Sequence, residues 1–79
     1  MNNLLKRIEI NPKIMYGKPV IKGTRIPVEI ILKKLSQYIS IDKVLEDYNN
    51  LTGDDIKAAV AYASSVLSTD EILAIPVKK

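Results

Sequence analysis

The sequence contains no cysteine, histidine, tryptophan or phenylalanine, and only three of its 79 residues are glycine. Without cysteine and histidine there are no disulfides and no thiolate or imidazole ligands for zinc, iron–sulfur or haem sites. The same absences exclude a nucleophilic Cys–His or Ser–His pair. No apolar run is long enough to span a membrane, and the N-terminus lacks the apolar segment of a signal peptide. We therefore expect a cytoplasmic protein with no membrane segment and no cofactor.

Aromatic residues are also scarce, because the only ones are four tyrosines. The core must therefore be built from isoleucine, leucine, valine and alanine. A chain of 79 residues is one domain, near the lower size limit for folding on a hydrophobic core alone. These features favour a small helical bundle that is completed by self-association or by a partner.

Charge is unevenly distributed along the chain, although the net charge is only +3. Residues 1–25 carry six cations against the single carboxylate of Glu9, a net of +5. Residues 26–77 carry four lysines against eight acids, a net of −4. A basic arm on a mildly acidic body suggests nucleic acid as the partner of the arm. A solvated surface with uneven charge is the alternative that charge alone leaves open.

Turn residues separate short strand-like segments in the basic arm, residues 1–26. Apolar and polar side chains alternate near the end of residues 4–10, which predicts a short half-buried strand. Residues 19–21 predict another extended piece, and Gly23 is expected to adopt a backbone angle that residues with a Cβ avoid. We predict two or three short strands that pair as a small sheet.

Apolar residues at helical spacing predict three helices, over residues 27–38, 41–48 and 52–66. Pro27 suits the first turn of the first helix, where its missing N–H is not needed. Ser40 is a good N-cap for the second helix. The expected architecture is mainly α, a three-helix bundle preceded by short β-strands, all within a single domain.

The third helix has the clearest start signal. Thr52 is the N-cap and Asp55 lies three residues later, an aspartate variant of the capping box. Leu51 and Ile56 are placed to form a hydrophobic staple across this start. The helical core is expected to span residues 27–67. It is followed by a C-terminal tail, residues 68–79, whose apolar and acidic side chains could pack back on the bundle or dock on a partner.

A short helix, a tight turn and a longer capped helix match a helix-turn-helix of the homeodomain-like kind in length and order. Any small three-helix domain has this pattern. The third helix opposes ordinary groove reading, because its first turn carries Asp54 and Asp55, and base-reading side chains are absent beyond Asn50. The basic arm must therefore supply much of the attraction for DNA. The candidate contacts are Arg7, Lys18, Lys22, Gly23, Thr24, Arg25 and Lys57. A tight turn with solvated cations is the competing interpretation.

The acidic residues do not predict a catalytic metal site. Asp42, Asp54 and Asp55 are accounted for by helix N-termini, where the helix dipole favours an acid. Glu46 and Asp47 lie on the polar face of the second helix. With no phosphate-binding loop and no nucleophile–base pair, we expect a protein that is not an enzyme and has no small-molecule substrate.

Residues 16–28, Tyr-Gly-Lys-Pro-Val-Ile-Lys-Gly-Thr-Arg-Ile-Pro-Val, carry the most specific motif in the chain. They resemble the signature G-x-P-x-I-x-G-T-R-[IV]-x-V of a prokaryotic family of small proteins, domain of unknown function 433. Residues 40–48 and 51–56 look like the second and third helix starts of that family. The resemblance covers roughly residues 7–75. It implies a helix-turn-helix domain preceded by short strands, often described as antitoxin-like, of the VapB type. Such proteins are encoded beside a toxin with a PIN-like ribonuclease fold.

Two functions follow as hypotheses. The first is an antitoxin-like protein that binds operator DNA through the arm and the helix-turn-helix and neutralises a PIN-like ribonuclease toxin. The second is a protein-interaction or oligomerisation module that does not bind DNA. A homodimer is expected in either case, because a small core and unpaired strand edges gain from pairing across a two-fold axis.

Overall fold

Three helices and one two-stranded sheet make up the fold in the computed structural model, which describes residues 3–69. The helices are α1 (Val28–Tyr38), α2 (Ile41–Asp47) and α3 (Gly53–Thr69). The strands are β1 (Ile8–Glu9) and β2 (Val20–Ile21). The protein is therefore mainly α with short β-strands, as the sequence predicts.

The N-terminal segment Asn3–Arg7 is a 3-10 helix, and the short strand predicted near the end of residues 4–10 is present as β1. The neighbouring Leu4 and Leu5 both line the same face of α3. Successive side chains of a strand point to opposite faces, so an extended backbone could not bring both leucines onto one surface. Packing against α3 explains the helical conformation of this segment.

The sheet is antiparallel, with Ile8 opposite Ile21 and Glu9 opposite Val20. An isolated bridge between Val20 and Pro27 continues the extended structure on the other side of β2. Two strands are thus present in residues 3–69, in agreement with the lower number predicted. Each is only two residues long, so the sheet serves mainly to hold the arm against the helices.

Local capping signals set the boundaries of α1 and α2. Pro27 has extended dihedral angles and is the N-cap of α1, not a residue of its first turn as predicted. Ile39 ends α1 in the left-handed conformation, with φ of 53°, and its N–H donates to the carbonyl of Leu35. The N-cap predicted for α2 is confirmed, because the hydroxyl of Ser40 accepts a hydrogen bond from the N–H of Lys43.

The capping box predicted for α3 is also confirmed. The Thr52 N–H donates to Asp55 Oδ2 at 3.0 Å, and the Asp55 N–H donates to Thr52 Oγ1 at 3.3 Å. The helix continues to Thr69, beyond the end predicted at residue 66, because no glycine or proline follows Gly53 until Pro76. Ser68 and Thr69 of the predicted C-terminal tail belong to α3, and residues 70–79 lie outside the described residues.

The hydrophobic core lies where the sheet and the three helices meet. Its buried side chains within residues 3–69 are all aliphatic, and Tyr48 and Tyr62 pack against them. Leu51 and Ile56, the predicted staple, are both buried in it. Ala58 and Ala59 are fully buried on α3, where their small side chains let neighbouring segments approach closely. The buried members of the cluster are Ile21, Val28, Ile31, Val44, Leu51, Ile56 and Ala59.

A polar cluster joins α1 to α2 on the surface. Lys34 Nζ lies 3.2 Å from Asp47 Oδ2 and 5.7 Å from the centroid of the Tyr38 ring. The Tyr38 hydroxyl donates to the same carboxylate oxygen at 3.2 Å. The hydrogen bond to Asp47 raises the pKa of Lys34 above its ordinary value of 10.5, because it favours the charged ammonium.

Candidate functional site

Hydrogen bonds hold the turn that contains Gly23 within the basic arm. The Thr24 N–H donates to the carbonyl of Ile21 at 3.0 Å, which closes a four-residue turn. Gly23 has φ of +83°, as a type II turn requires at its third position. The prediction that Gly23 adopts a conformation unfavourable to other residues is therefore confirmed.

The side chain of Thr24 braces this turn from inside. Its hydroxyl donates to the carbonyl of Ile21 at 2.7 Å and accepts a hydrogen bond from the N–H of Ile26 at 3.0 Å. Thr24 does not cap α1. The next residue, Arg25, projects from a backbone that is held on both sides, and its side chain is exposed.

Hydrogen bonds connect the turn to the arm and to the start of α1. The Lys22 N–H donates to the carbonyl of Arg7 at 2.7 Å, and the Val28 N–H donates to the carbonyl of Pro19 at 2.9 Å. The Ile21 N–H donates to the carbonyl of Ile26 at 3.0 Å. The segment from Pro19 to Val28 therefore folds back on itself and forms a rigid base for Arg25.

A cleft of about 520 Å³ brings this turn next to the connection between α2 and α3. Arg25, from the turn, and Asn50, which precedes α3, both line the cleft. Among the hydrogen bonds and ion pairs of residues 3–69, none involves the side chain of either residue. The cleft is lined by Glu9, Ile14, Gly23, Thr24, Arg25, Ile26 and Asn50.

The predicted DNA-contacting cations fall into two groups. Arg7 and Lys18 are paired with acids: Arg7 with the first turn of α3, and Lys18 with Glu29 at 2.9 Å. Lys22 and Arg25 are exposed and form no ion pair within residues 3–69. The structure therefore brings Gly23, Thr24 and Arg25 together in the cleft and directs Arg7 and Lys18 towards carboxylates.

The acids that oppose DNA binding at α3 are the partners of Arg7. Arg7 Nη1 donates to Asp55 Oδ1 at 3.1 Å, and Arg7 Nη2 lies 3.6 Å from Asp54 Oδ2. Asp55 is only 7% exposed, and its second oxygen serves in the capping box. One cation therefore offsets two carboxylates, and the first turn of α3 repels phosphates less than the sequence suggests.

The sequence alone did not point to the cleft-lining residues that lie outside the signature motif. Glu9, Ile14 and Asn50 join the motif residues there. In the sequence, Asn50 stands out only as the last base-reading side chain before the third helix. Its place in the connection of a helix-turn-helix pattern is the signal that could have found it.

An apolar groove of about 950 Å³ lies elsewhere on the molecule, between the 3-10 helix, the junction of α1 with α2, and α3. It shares no lining residue with the cleft. Lys57 lies in this groove, so the structure separates it from the other predicted DNA contacts. The lining is Leu4, Leu5, Leu35, Ile39, Ser40, Ile41, Ile56, Lys57, Val60, Ala61, Ser64 and Ser65.

The part of the chain that the structure describes contains no group of three or more acidic, histidine or cysteine residues that could hold a metal ion. None of its helices is both long enough and apolar enough to cross a membrane. Within the same residues, the cleft lies between the signature turn and the start of α3.

The structure is a mainly α domain that has a two-stranded sheet and a braced Gly-Thr-Arg turn. Residues 8–63 match the family described as protein of unknown function DUF433, and the chain belongs to that family. The crystal structure of a DUF433 member protein from Anabaena variabilis has a similar fold, with a TM-score of 0.72 and 30% sequence identity. The similarity covers 80% of this chain and 62% of that one.

Two further relatives are similar in sequence to this chain over segments of different length. The uncharacterized protein y4eO of Sinorhizobium fredii is 33% identical over 55 residues, which are 70% of this chain and 25% of that protein. An uncharacterized protein of Archaeoglobus fulgidus is 60% identical over 25 residues, 32% of this chain and 69% of its own length. The chain thus spans only a quarter of the Sinorhizobium relative.

Proposed function

We propose that this protein is an antitoxin-like DNA-binding protein that binds operator DNA and neutralises a PIN-like ribonuclease toxin. In this proposal it acts in the cytoplasm as a homodimer, without a cofactor and without catalysis of its own. The three helices form a homeodomain-like helix-turn-helix, in which α2, residues 48–52 and α3 are the motif and α1 packs against both helices.

One observation carries the DNA-binding part of this proposal: Arg25 and Asn50 line the same cleft at the start of α3. Arginine is the side chain that most often reads guanine in the major groove, and asparagine is the usual reader of adenine. They are 25 positions apart in the sequence, and the fold brings both to the connection between α2 and α3. This is where a helix-turn-helix contacts base edges.

The distribution of charge supports a DNA contact made by the turn that contains Gly23, and not one made along α3. Lys22 adds an exposed cation three positions before Arg25, in the turn whose backbone Thr24 braces. Arg7 offsets the charge of Asp54 and Asp55, which removes part of the repulsion that these acids would exert on phosphates. In this arrangement Arg7 and Lys18 support the site, while Lys22 and Arg25 contact the DNA.

Fluorescence anisotropy with a labelled duplex from the region upstream of the coding sequence tests the proposal. We expect Arg25→Ala and Asn50→Ala each to weaken binding by about 1–3 kcal/mol, and Lys22→Ala to lower the salt slope by about one. Lys33→Ala, which removes an exposed cation from α1, is the matched control and should change affinity little. No detectable binding of the wild-type protein at low salt would overturn the DNA-binding function.

The toxin part of the proposal rests on the resemblance to antitoxin-like proteins. It is tested by adding the purified protein to a PIN-like ribonuclease encoded beside it and measuring cleavage of a fluorescent RNA. We expect stoichiometric inhibition, retained in Arg25→Ala because the DNA-contacting turn is not required for it. Full ribonuclease activity at a tenfold excess of the protein would contradict this part alone.

The apolar groove favours a second candidate function, a protein-interaction or oligomerisation module. The outward face of α3 in this groove is mostly apolar or small, with Lys57 as its only charged side chain. Such a face suits a protein surface better than a nucleic acid. A wild-type protein that fails to bind DNA but self-associates would favour this candidate.

A further inference from the structure

The apolar groove is bordered by an isoleucine in an unusual conformation. Ile39 is 87% exposed and has φ of 53°, in the left-handed region. Glycine and asparagine commonly occupy this position at the end of a helix, whereas a β-branched residue is strained there. The chain thus holds a large apolar side chain in solvent, at a position where a small or polar residue would relieve both the strain and the exposure.

Other apolar side chains around Ile39 are also exposed to solvent. Ile41 is 40% exposed and Val60 is 47% exposed, and both line the groove with Leu4 and Leu5. A protruding Ile39 and a concave apolar surface therefore belong to the same face of one chain. This is what an interface across a two-fold axis requires, since each copy must present both the inserted side chain and the surface that receives it.

Charge adds a second element of self-complementarity. Lys57 lies in the groove, and Asp42 directly follows the groove-lining Ile41. Neither Asp42 nor Lys57 forms an ion pair within residues 3–69. In a two-fold interface an acid of one copy can face a cation of the other, and the reciprocal pair forms by symmetry.

The sheet edge predicted from the sequence is a poorer interface. The strands are two residues long, and the outer side of β2 is already bridged by the chain itself between Val20 and Pro27. The Val28 N–H and the Ile21 N–H donate to carbonyls of the same segment. Few backbone groups of β2 remain to pair with a second copy.

We propose that the apolar groove is the interface between two copies of this chain, with Ile39 of each copy inserted into the groove of the other. Asp42 and Lys57 form reciprocal ion pairs at its border. The interface shares no lining residue with the cleft of Arg25 and Asn50, so self-association and DNA binding are separable by mutation. The inference does not depend on DNA binding.

Sedimentation equilibrium over a range of protein concentrations tests the interface. We expect the wild-type protein to dimerise and Ile39→Asn to weaken dimerisation about tenfold or more, as for an apolar anchor residue. Asparagine tolerates the left-handed conformation, so at a concentration where both proteins are monomeric the variant should unfold at the same or a higher temperature than the wild type. Loss of association therefore cannot be attributed to loss of fold.

Ile10→Asn is the matched control. Ile10 is 57% exposed and follows β1, outside the groove, so the same substitution there should leave the dimer unchanged. Equal weakening by the two variants would overturn the groove interface in favour of the sheet edge. A wild-type protein that stays monomeric at the highest concentration, or an Ile39→Asn variant that dimerises as the wild type does, would also overturn it.

A charge exchange tests the ion pairs. Lys57→Glu should weaken dimerisation, because it places acids at both positions, and adding Asp42→Lys should restore it. Both residues are exposed, so the double variant is expected to fold. Failure of the second change to restore association would show that Asp42 and Lys57 do not face each other, and would overturn the proposed register of the two copies.

Discussion

Arg7 and Asp55 are 48 positions apart in the chain, yet the guanidinium donates to the carboxylate at 3.1 Å. This bond ties the N-terminal arm to the first turn of α3. The backbone carbonyl of Arg7 also accepts the N–H of Lys22, beside the signature turn. Arg7 therefore connects the two parts of the molecule that form the cleft, the braced turn and the start of α3.

Removing this connection should destabilise the fold. We expect Arg7→Gln to lower the free energy of unfolding by about 1–2 kcal/mol, because the nearly buried carboxylate of Asp55 loses its charged partner. The value is well below that of a fully buried pair, since the Arg7 side chain is 43% exposed. Urea denaturation measures it. Arg25→Gln, which breaks no ion pair within residues 3–69, is the control and should change the same quantity by less than about 0.5 kcal/mol.

The turn at Gly23 allows a clean test of backbone conformation. We expect Gly23→Ala to lower the free energy of unfolding by about 1–2 kcal/mol, because φ of +83° is unfavourable for a residue with a Cβ. No neighbouring atom lies within 4 Å of the added carbon, so the effect comes from the backbone angle and not from a clash. Gly53→Ala, at the first residue of α3, has equal space and no positive φ and should be neutral or stabilising. Thermal unfolding of both variants measures the two effects. Equal losses of stability in Gly23→Ala and Gly53→Ala would contradict an effect of the backbone angle.

The capping box at α3 makes a separate contribution. Thr52→Ala should lower the free energy of unfolding by about 1 kcal/mol, since the Asp55 N–H loses the Thr52 hydroxyl and keeps only the carbonyl of Thr52 as an acceptor, and the box is broken. Ser36→Ala is the control, because that hydroxyl donates only to the carbonyl of Lys33 within α1. Alanine is the better helix former there, so no loss is expected from the control. An unchanged stability of Thr52→Ala in guanidinium titrations would count against the cap.

The hydrogen bond between Lys34 and Asp47 predicts that the stability of the fold depends on pH in the alkaline range. Its pKa is raised by the hydrogen bond to Asp47, above the value of 10.5 expected in the unfolded chain. The stabilisation that it contributes is therefore complete below pH 10.5 and is lost as the pH rises through the higher folded-state value. An NMR titration of the Lys34 side chain should show the raised pKa in the wild type and a lower one in Asp47→Asn. Asp42→Asn, which removes an acid that forms no ion pair within residues 3–69, should leave it unchanged.

Most of the fold follows from signals that act within a few residues. The Ser40 cap, the Thr52–Asp55 box and the left-handed Gly23 are predicted from the sequence and are present in the structure. The 3-10 helix at Asn3–Arg7 is an element that the sequence does not predict. It packs against α3, and no local rule contains that contact.

The candidate site is less accessible to such reasoning. The motif that contains Gly23, Thr24 and Arg25 stands out in the sequence, but its neighbour in the cleft, Asn50, does not. Charge counting also treats Arg7 as a cation available to DNA, whereas the folded chain pairs it with Asp54 and Asp55. Net charge describes a segment, and only a structure reports which charges are already paired.

The sequence by itself determined the three helices, their caps, the turn at Gly23 and the aliphatic core, because each depends on residue type and on spacing along the chain. Only the tertiary structure decided that Arg7 pairs with Asp55, that Arg25 and Asn50 line one cleft, and that Ile39 borders an apolar groove. Such contacts join segments far apart in the chain. They form only when the arm, the turn and α3 pack around one core, which is why spacing could not reveal them.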